Sequence, residues 1–334
     1  MRTSQRPFRR IFPRVLACGF LAAILFSTAV CRPPGDADSA LKPPKAQIIP
    51  KELTLHGHTR VDNYYWLNGR EDPKVLEYLK AENDYTLAYL KPVEAFQKKL
   101  YDEIVGRIKQ TDLSVPYREN GYYYYTRYEE GKDYPVYCRK KGGLEGAEEV
   151  LLNVNDMAKG HDYYSVGGLQ VSPDNKLLSY GVDTVSRRKY TLCFRNLETG
   201  ETLPDAIANT GGEAAWAADN KTVFYTQKDD TTLRPHKVFR HVLGTPVESD
   251  TLIFHEADET FSVDAYTSKS KKYVFIASTH TLSSEYRFIP ADKPTAEFKI
   301  FQPRERDLEY GVDHYGDKFY IRTNMGAKNF RLMT

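Results

Sequence analysis

The 334 residues carry 41% hydrophobic and 28% charged side chains, the balance of a globular chain and not of a disordered one. The 25 Tyr and 16 Phe, set among many turn residues, lean towards β-sheet. The formal charge of +2 comes from five arginines (2, 6, 9, 10 and 14) in the first 30 residues, which hold no acid; without them +2 becomes −3. So near-neutral a body excludes the clustered basic face that nucleic acid requires.

The chain opens as an export signal. Arg2 to Arg14 form a basic region and Val15 to Val30 an apolar run, too short for a comfortable membrane span of about 20 residues. Arg9-Arg10 is similar to a twin-arginine signal, although Phe8 stands where Ser or Thr is expected. Cys31 is a lipidation candidate, although Val30 fits poorly before it, and an uncleaved membrane anchor is the competing reading. The expected location is the periplasm or cell envelope. Residues 1–31 are thus assigned to the signal and 32–50, with five Pro, to a tether.

Residues 51–114 read as a helical extension. Asp72-Pro73 is a natural helix start, and Val75, Leu76 and Leu79 begin its apolar stripe. Pro92 opens a second helix carrying Val93, Phe96, Leu100, Ile104 and Ile108 at steps of three and four. Both helices need a partner surface that the short sequence before them does not supply.

From 115 to 334 the pattern is strand and turn, and it repeats. Tight turns at Asn120-Gly121, Asp174-Asn175, Asp219-Asn220, Lys269-Ser270 and Gly316-Asp317 recur every 45–54 residues, with room for four strands in each unit. That period predicts a mainly β fold, an incomplete β-propeller of about four and a half blades. A β-sandwich with chance turn spacing is the alternative. Cys138 and Cys193 fall on the third strands of consecutive units, too far apart for a disulfide, and are expected as buried free thiols; Cys18 lies in the signal.

Several strings resemble the prolyl oligopeptidase family of serine peptidases. Arg60-Val61-Asp62-Asn63-Tyr64-Tyr65-Trp66-Leu67, Glu71-Asp72-Pro73 and Glu82-Asn83 are similar to its N-terminus. The run from Tyr123 to Pro135, Tyr137-Cys138-Arg139, Glu149-Val150-Leu151-Leu152 and Gly160-His161-Asp162-Tyr163 are similar to its oligopeptidase B branch. So are Val171-Ser172-Pro173-Asp174 and Gly326-Ala327-Lys328-Asn329-Phe330. The resemblance implies a seven-bladed-type propeller over an α/β-hydrolase domain, with the N-terminal helices packed on the latter. It also implies cleavage of short peptides after Lys or Arg, with the propeller gating the site and filtering by size.

No catalytic residue is carried over, because no Ser here has Gly at both −2 and +2, the spacing of a nucleophile elbow. A chain stopping within a blade reads as the truncated N-terminal portion of such a peptidase, inactive alone. The alternatives are a freestanding binding module of the envelope and one half of a split enzyme. No cofactor is expected. His56-Gly57-His58 lacks further ligands at metal spacing, so no metal site is assigned. Gly142-Gly143 and Gly167-Gly168 read as turns, and Tyr122 to Tyr125 as core. Glu129-Glu130 and Asp229-Asp230 are expected in loops, as solvated tips or as a carboxylate rim for basic peptides.

Overall fold

The computed structural model describes residues 41–334, which divide into two compact units with their boundary between Arg107 and Ile108. The signal, Cys18 and Cys31 lie outside the described residues, within which no helix is long and apolar enough to cross a membrane.

The first unit begins with a hairpin, β1 (Lys51–Leu55) and β2 (His58–Asp62). His56 (φ 51°) and Gly57 (φ 78°) form its two-residue turn, in the left-handed geometry that matches strand twist. The His56-Gly57-His58 string is therefore the tip of a hairpin. Helix α1 (Pro73–Leu90) starts where Asp72 caps it: the Asp72 Oδ1 accepts from the Lys74 N–H at 2.9 Å, and Pro73 occupies the first turn. A 3-10 turn over Lys91–Val93 leads into α2 (Glu94–Gly106). Ile108, expected on this helix, lies beyond its end, because the chain leaves the helix at Gly106 and Arg107 caps it. Of both helices' apolar side chains only Val75 is buried; Leu87 is 71% exposed and Phe96 59%.

The second unit is a run of antiparallel blades, four of four strands each and a fifth with three among the described residues. The first holds β3 (Tyr117–Glu119), β4 (Tyr122–Arg127), β5 (Val136–Lys141) and β6 (Glu148–Asn153). The second holds β7 (Ser165–Val171), β8 (Leu177–Asp183), β9 (Tyr190–Asn196) and the first part of β10 (Thr202–Trp216). The rest of β10 opens the third blade, followed by β11 (Thr222–Lys228), β12 (Pro235–Val242) and β13 (Thr251–His255). The fourth holds β14 (Ser262–Thr267), β15 (Tyr273–His280), β16 (Ser283–Pro290) and β17 (Lys299–Gln302). The fifth has β18 (Tyr310–Tyr315), β19 (Lys318–Thr323) and β20 (Arg331–Met333). All five expected first turns join the first two strands of a blade.

The repeat holds at atomic detail. The N–H groups of Ser172, Ala217 and Ser268 close equivalent turns on the carbonyls of Leu177, Thr222 and Tyr273 at 2.8–2.9 Å. Large side chains then fill the spaces between neighbouring blades. Tyr122 and Tyr124 pack with Leu178 and Tyr180, Phe194 with Trp216 and Tyr225, Phe224 with Val263 and Ile276, and Phe275 with Tyr310 and Val312. A blade buries its apolar faces only against the next one, which is why the repeat must be stacked to be stable.

Two features depart from the sequence expectation. The second and third blades are one seven-stranded sheet, because β10 pairs with β9 up to Thr210 and with β11 from Thr210 onwards. Gly167-Gly168, expected as a turn, lies inside β7. Tertiary packing demands it there. A Cβ on Gly168 (φ 66°) would stand 2.1 Å from the Gly212 carbonyl oxygen, and one on Gly181 2.5 Å from the Gly212 Cα. The glycines let the strand opening the third blade press against the second. Gly142-Gly143 does form the expected turn, between β5 and β6.

Candidate functional site

The first strands of neighbouring blades lie side by side, β7 against β10 and β10 against β14. In a propeller, first strands that lie side by side are the innermost, and their exposed residues face the central channel. Glu213, Asp264 and Asp313 are exposed on the first strands of the third, fourth and fifth blades. Although the residue is open to solvent on one side, the neighbouring strands crowd the Glu213 carboxyl and push it above its ordinary range, and the nearby Asp264 charge pushes it further. Burial likewise raises Asp264, against the opposing effect of the Ala265 N–H that its Oδ1 accepts at 2.7 Å. The channel wall is thus acidic through three successive blades.

One end of the channel is formed by the first turns, which are stitched blade to blade. Asn120 Nδ2 donates to the Pro173 carbonyl at 2.8 Å, and the Asp174 N–H donates to Asn220 Oδ1 at 2.9 Å. The Lys269 N–H donates to Asp313 Oδ1 at 2.9 Å, while Ser270 Oγ meets His314 Nδ1 at 2.7 Å. Behind these turns is a cavity of about 450 Å³ walled by four blades, including Tyr124, Gln170, Trp216 and Thr267. A second cavity of about 220 Å³ adjoins it between the first two blades, sharing Glu119, Tyr124, Gln170 and Val171, and reaches Cys138.

Antiparallel connection puts the loops between second and third strands, and the links between blades, at the opposite end. A charged knot sits there. Arg304 binds the buried Glu256 Oε2 at 2.5 Å, lies 3.6 Å over the Phe261 ring, and donates its backbone N–H to Glu285 Oε2 at 3.1 Å. Burial alone pushes Glu256 up, but bonds from Arg304, Ser278 and the Asp258 N–H hold it below the usual carboxylate value. Between the second and third blades the imidazole of His241, fully buried, bridges two buried carboxylates. Its Nε2 is 3.1 Å from Asp205 Oδ1 and its Nδ1 2.7 Å from Asp250 Oδ1. Tyr225 donates its hydroxyl to the other Asp250 oxygen at 2.9 Å. Neither knot is visible in the sequence, because its members come from separate strands and loops.

The acidic pairs singled out from the sequence lie in two different loops at this end. Glu129 pairs with Arg127 at 2.6 Å, and Asp230 with Lys189 at 2.8 Å. Asp229 is occupied within its own turn by the Thr231 and Thr232 N–H groups. Tyr122, Tyr124 and Tyr125 are buried, the first two on one face of β4 and the third on the other beside Val136 and Cys138, whereas Tyr123, expected in the core with them, is only half-buried. Cys138 and Cys193 are free thiols on β5 and β9, the first buried as expected and the second only partly so; burial pushes Cys138 up to about 11, with the Glu148 charge adding to it.

The blade repeat, with each first strand lying against the next, defines a β-propeller. The family model described as prolyl oligopeptidase, N-terminal beta-propeller domain, matches residues 43–334, and the chain belongs to the prolyl oligopeptidase family. It is 45% identical over 331 residues to dipeptidyl aminopeptidase BI of Pseudoxanthomonas mexicana, covering 94% of this chain and 45% of that protein. It is 35% identical over 300 residues to protease 2 of Moraxella lacunata, covering 88% and 43%. Among solved structures, oligopeptidase B from Leishmania major aligns with a TM-score of 0.82 at 30% identity, over 88% of this chain and 44% of the other. The chain thus spans under half the length of these relatives.

Proposed function

We propose that this chain is the propeller portion of an oligopeptidase B-like serine peptidase, which cleaves short peptides after Lys or Arg in the cell envelope. The propeller admits and sizes the peptide. The hydrolase domain that resembling proteins add supplies the chemistry and covers the apolar faces of α1 and α2. The observation that carries this reading is the acidic channel wall: Glu213, Asp264 and Asp313 attract cationic side chains and repel acidic peptides. The envelope location rests on the Arg-rich, apolar start of the sequence.

The test joins this chain to a hydrolase domain of the family and follows fluorogenic peptides with Arg, Lys or Ala before the scissile bond. Replacing Glu213 and Asp264 by Gln and Asn is expected to raise KM for the basic peptides at low salt and leave the Ala peptide unchanged. Equal effects on all three would sink the charge-selection reading. The 45% identity to a dipeptidyl aminopeptidase favours a second reading, release of dipeptides from free N-termini. Blocking the peptide's amine separates the two: a dipeptidyl aminopeptidase loses activity and an endopeptidase keeps it.

A further inference from the structure

The first turns of the second, third and fourth blades share one geometry, which the fourth fills with a different kind of residue. In the second and third blades the left-handed residue of the turn is Asn175 (φ 63°) and Asn220 (φ 59°). Asn is among the few residues that tolerate this geometry. The equivalent residue of the fourth blade is Lys271, at φ 60°. Lysine has no local reason to be there. Its ammonium reaches out of the fourth blade to Glu119 Oε1 in the first, at 2.7 Å. Both residues, with Arg118 and Lys269, line the 450 Å³ cavity at the first-turn end of the channel.

We propose that Lys271 and Glu119 form an ionic latch that closes this end of the channel by tying two non-adjacent blades together. The left-handed backbone is common to the three turns, but only in the fourth blade does the residue there carry a charge that spans to another blade. Both side chains are substantially exposed, 44% for Lys271 and 38% for Glu119. Such a pair is weak and screened by salt, so the latch opens readily. The first-turn end is then a salt-sensitive port that is shut at low ionic strength. Its use in admitting peptides rests on the gating function proposed above; the latch does not.

Cys138 supplies a reporter in the native chain, since it is buried and lines the smaller cavity that shares Glu119 with the larger one. The experiment measures the rate of maleimide modification at Cys138 in the full chain, mapped by peptide mass spectrometry. Glu119→Gln and Lys271→Asn are each expected to speed it roughly two- to fivefold at low salt, the range an exposed ion pair supports. In the wild type, added salt should produce the same rise, and in the variants it should not. The swap Glu119→Lys with Lys271→Glu should restore the slow rate. Lys271→Asn installs the residue of the other two turns, so its melting point should match or exceed that of the wild type, which separates opening from unfolding. Rates that are equal in all four proteins and indifferent to salt would overturn the latch. Faster labelling with unchanged KM for peptides in the chain joined to a hydrolase domain would keep the latch and overturn the gating reading.

Discussion

The two units treat apolar side chains in opposite ways. In the blades, Phe194, Phe224 and Phe275 are completely buried between neighbouring sheets, whereas on α1 and α2 Leu76, Leu79, Leu87, Phe96, Leu100 and Ile104 face solvent. The helices are nonetheless well specified locally, with a cap at Asp72, Pro73 in the first turn, and Lys80–Asp84 and Lys98–Asp102 pairs one turn apart. Local signals specify a helix but do not stabilise it much. Helices of this length are marginal without a packed face, while each blade receives that face from the next repeat.

The largest test of this contrast pairs two identical substitutions. Phe224→Ala should cost about 3–5 kcal/mol in urea unfolding of the propeller, and Phe96→Ala within about 0.5 kcal/mol. Similar losses at both sites would show that the helices already have a partner surface in this chain. His241→Ala probes the polar counterpart of the same interior. It leaves Asp205 and Asp250 buried without the imidazole between them and should cost about 3–5 kcal/mol at neutral pH. Gly168→Ala follows, at about 2–3 kcal/mol, because the new methyl meets backbone at a positive φ. At Gly316, where nothing lies within 4 Å, the same change should cost about 1 kcal/mol. Asp72→Ala should cost about 1 kcal/mol, read as faster amide exchange confined to the first turns of α1.

The smallest effect tests the channel wall through pH. Glu213 and Asp264 have carboxyls raised above their unfolded values, so their contribution favours the folded state in acid and is lost as pH rises through the folded values. Glu213→Gln should therefore raise the melting temperature at pH 7, with the gain vanishing below the ordinary carboxylate range. A gain independent of pH would mean that charge is not its cause.

Much of this fold was legible because turn chemistry is local. Asn120-Gly121, Asp174-Asn175 and Asp219-Asn220 announce themselves, since few residues accept the left-handed backbone there. The helix start at Asp72-Pro73 was legible for the same reason. Gly167-Gly168 misled because a glycine pair reads as a turn, and only the approach of Gly212 reveals why two glycines occur inside a strand. The hairpin at His56-Gly57 is hidden in the sequence because its second strand, His58–Asp62, carries a single apolar residue, Val61, too few to show the alternation of a half-buried sheet. Of the candidate site, the acidic loops were readable as loops. The channel carboxylates and the Lys271–Glu119 pair were not, because blade stacking brings them together and no motif spans that distance.

Strand β10 belongs to two blades without a break. Pulled from its two ends, a stack of separate sheets would give way one sheet at a time, each step releasing a similar length of chain. Here the second sheet cannot peel off without dragging the opening strand of the third. Under load this pair would yield together, in one step of double length, and would be the joint that holds while its neighbours part.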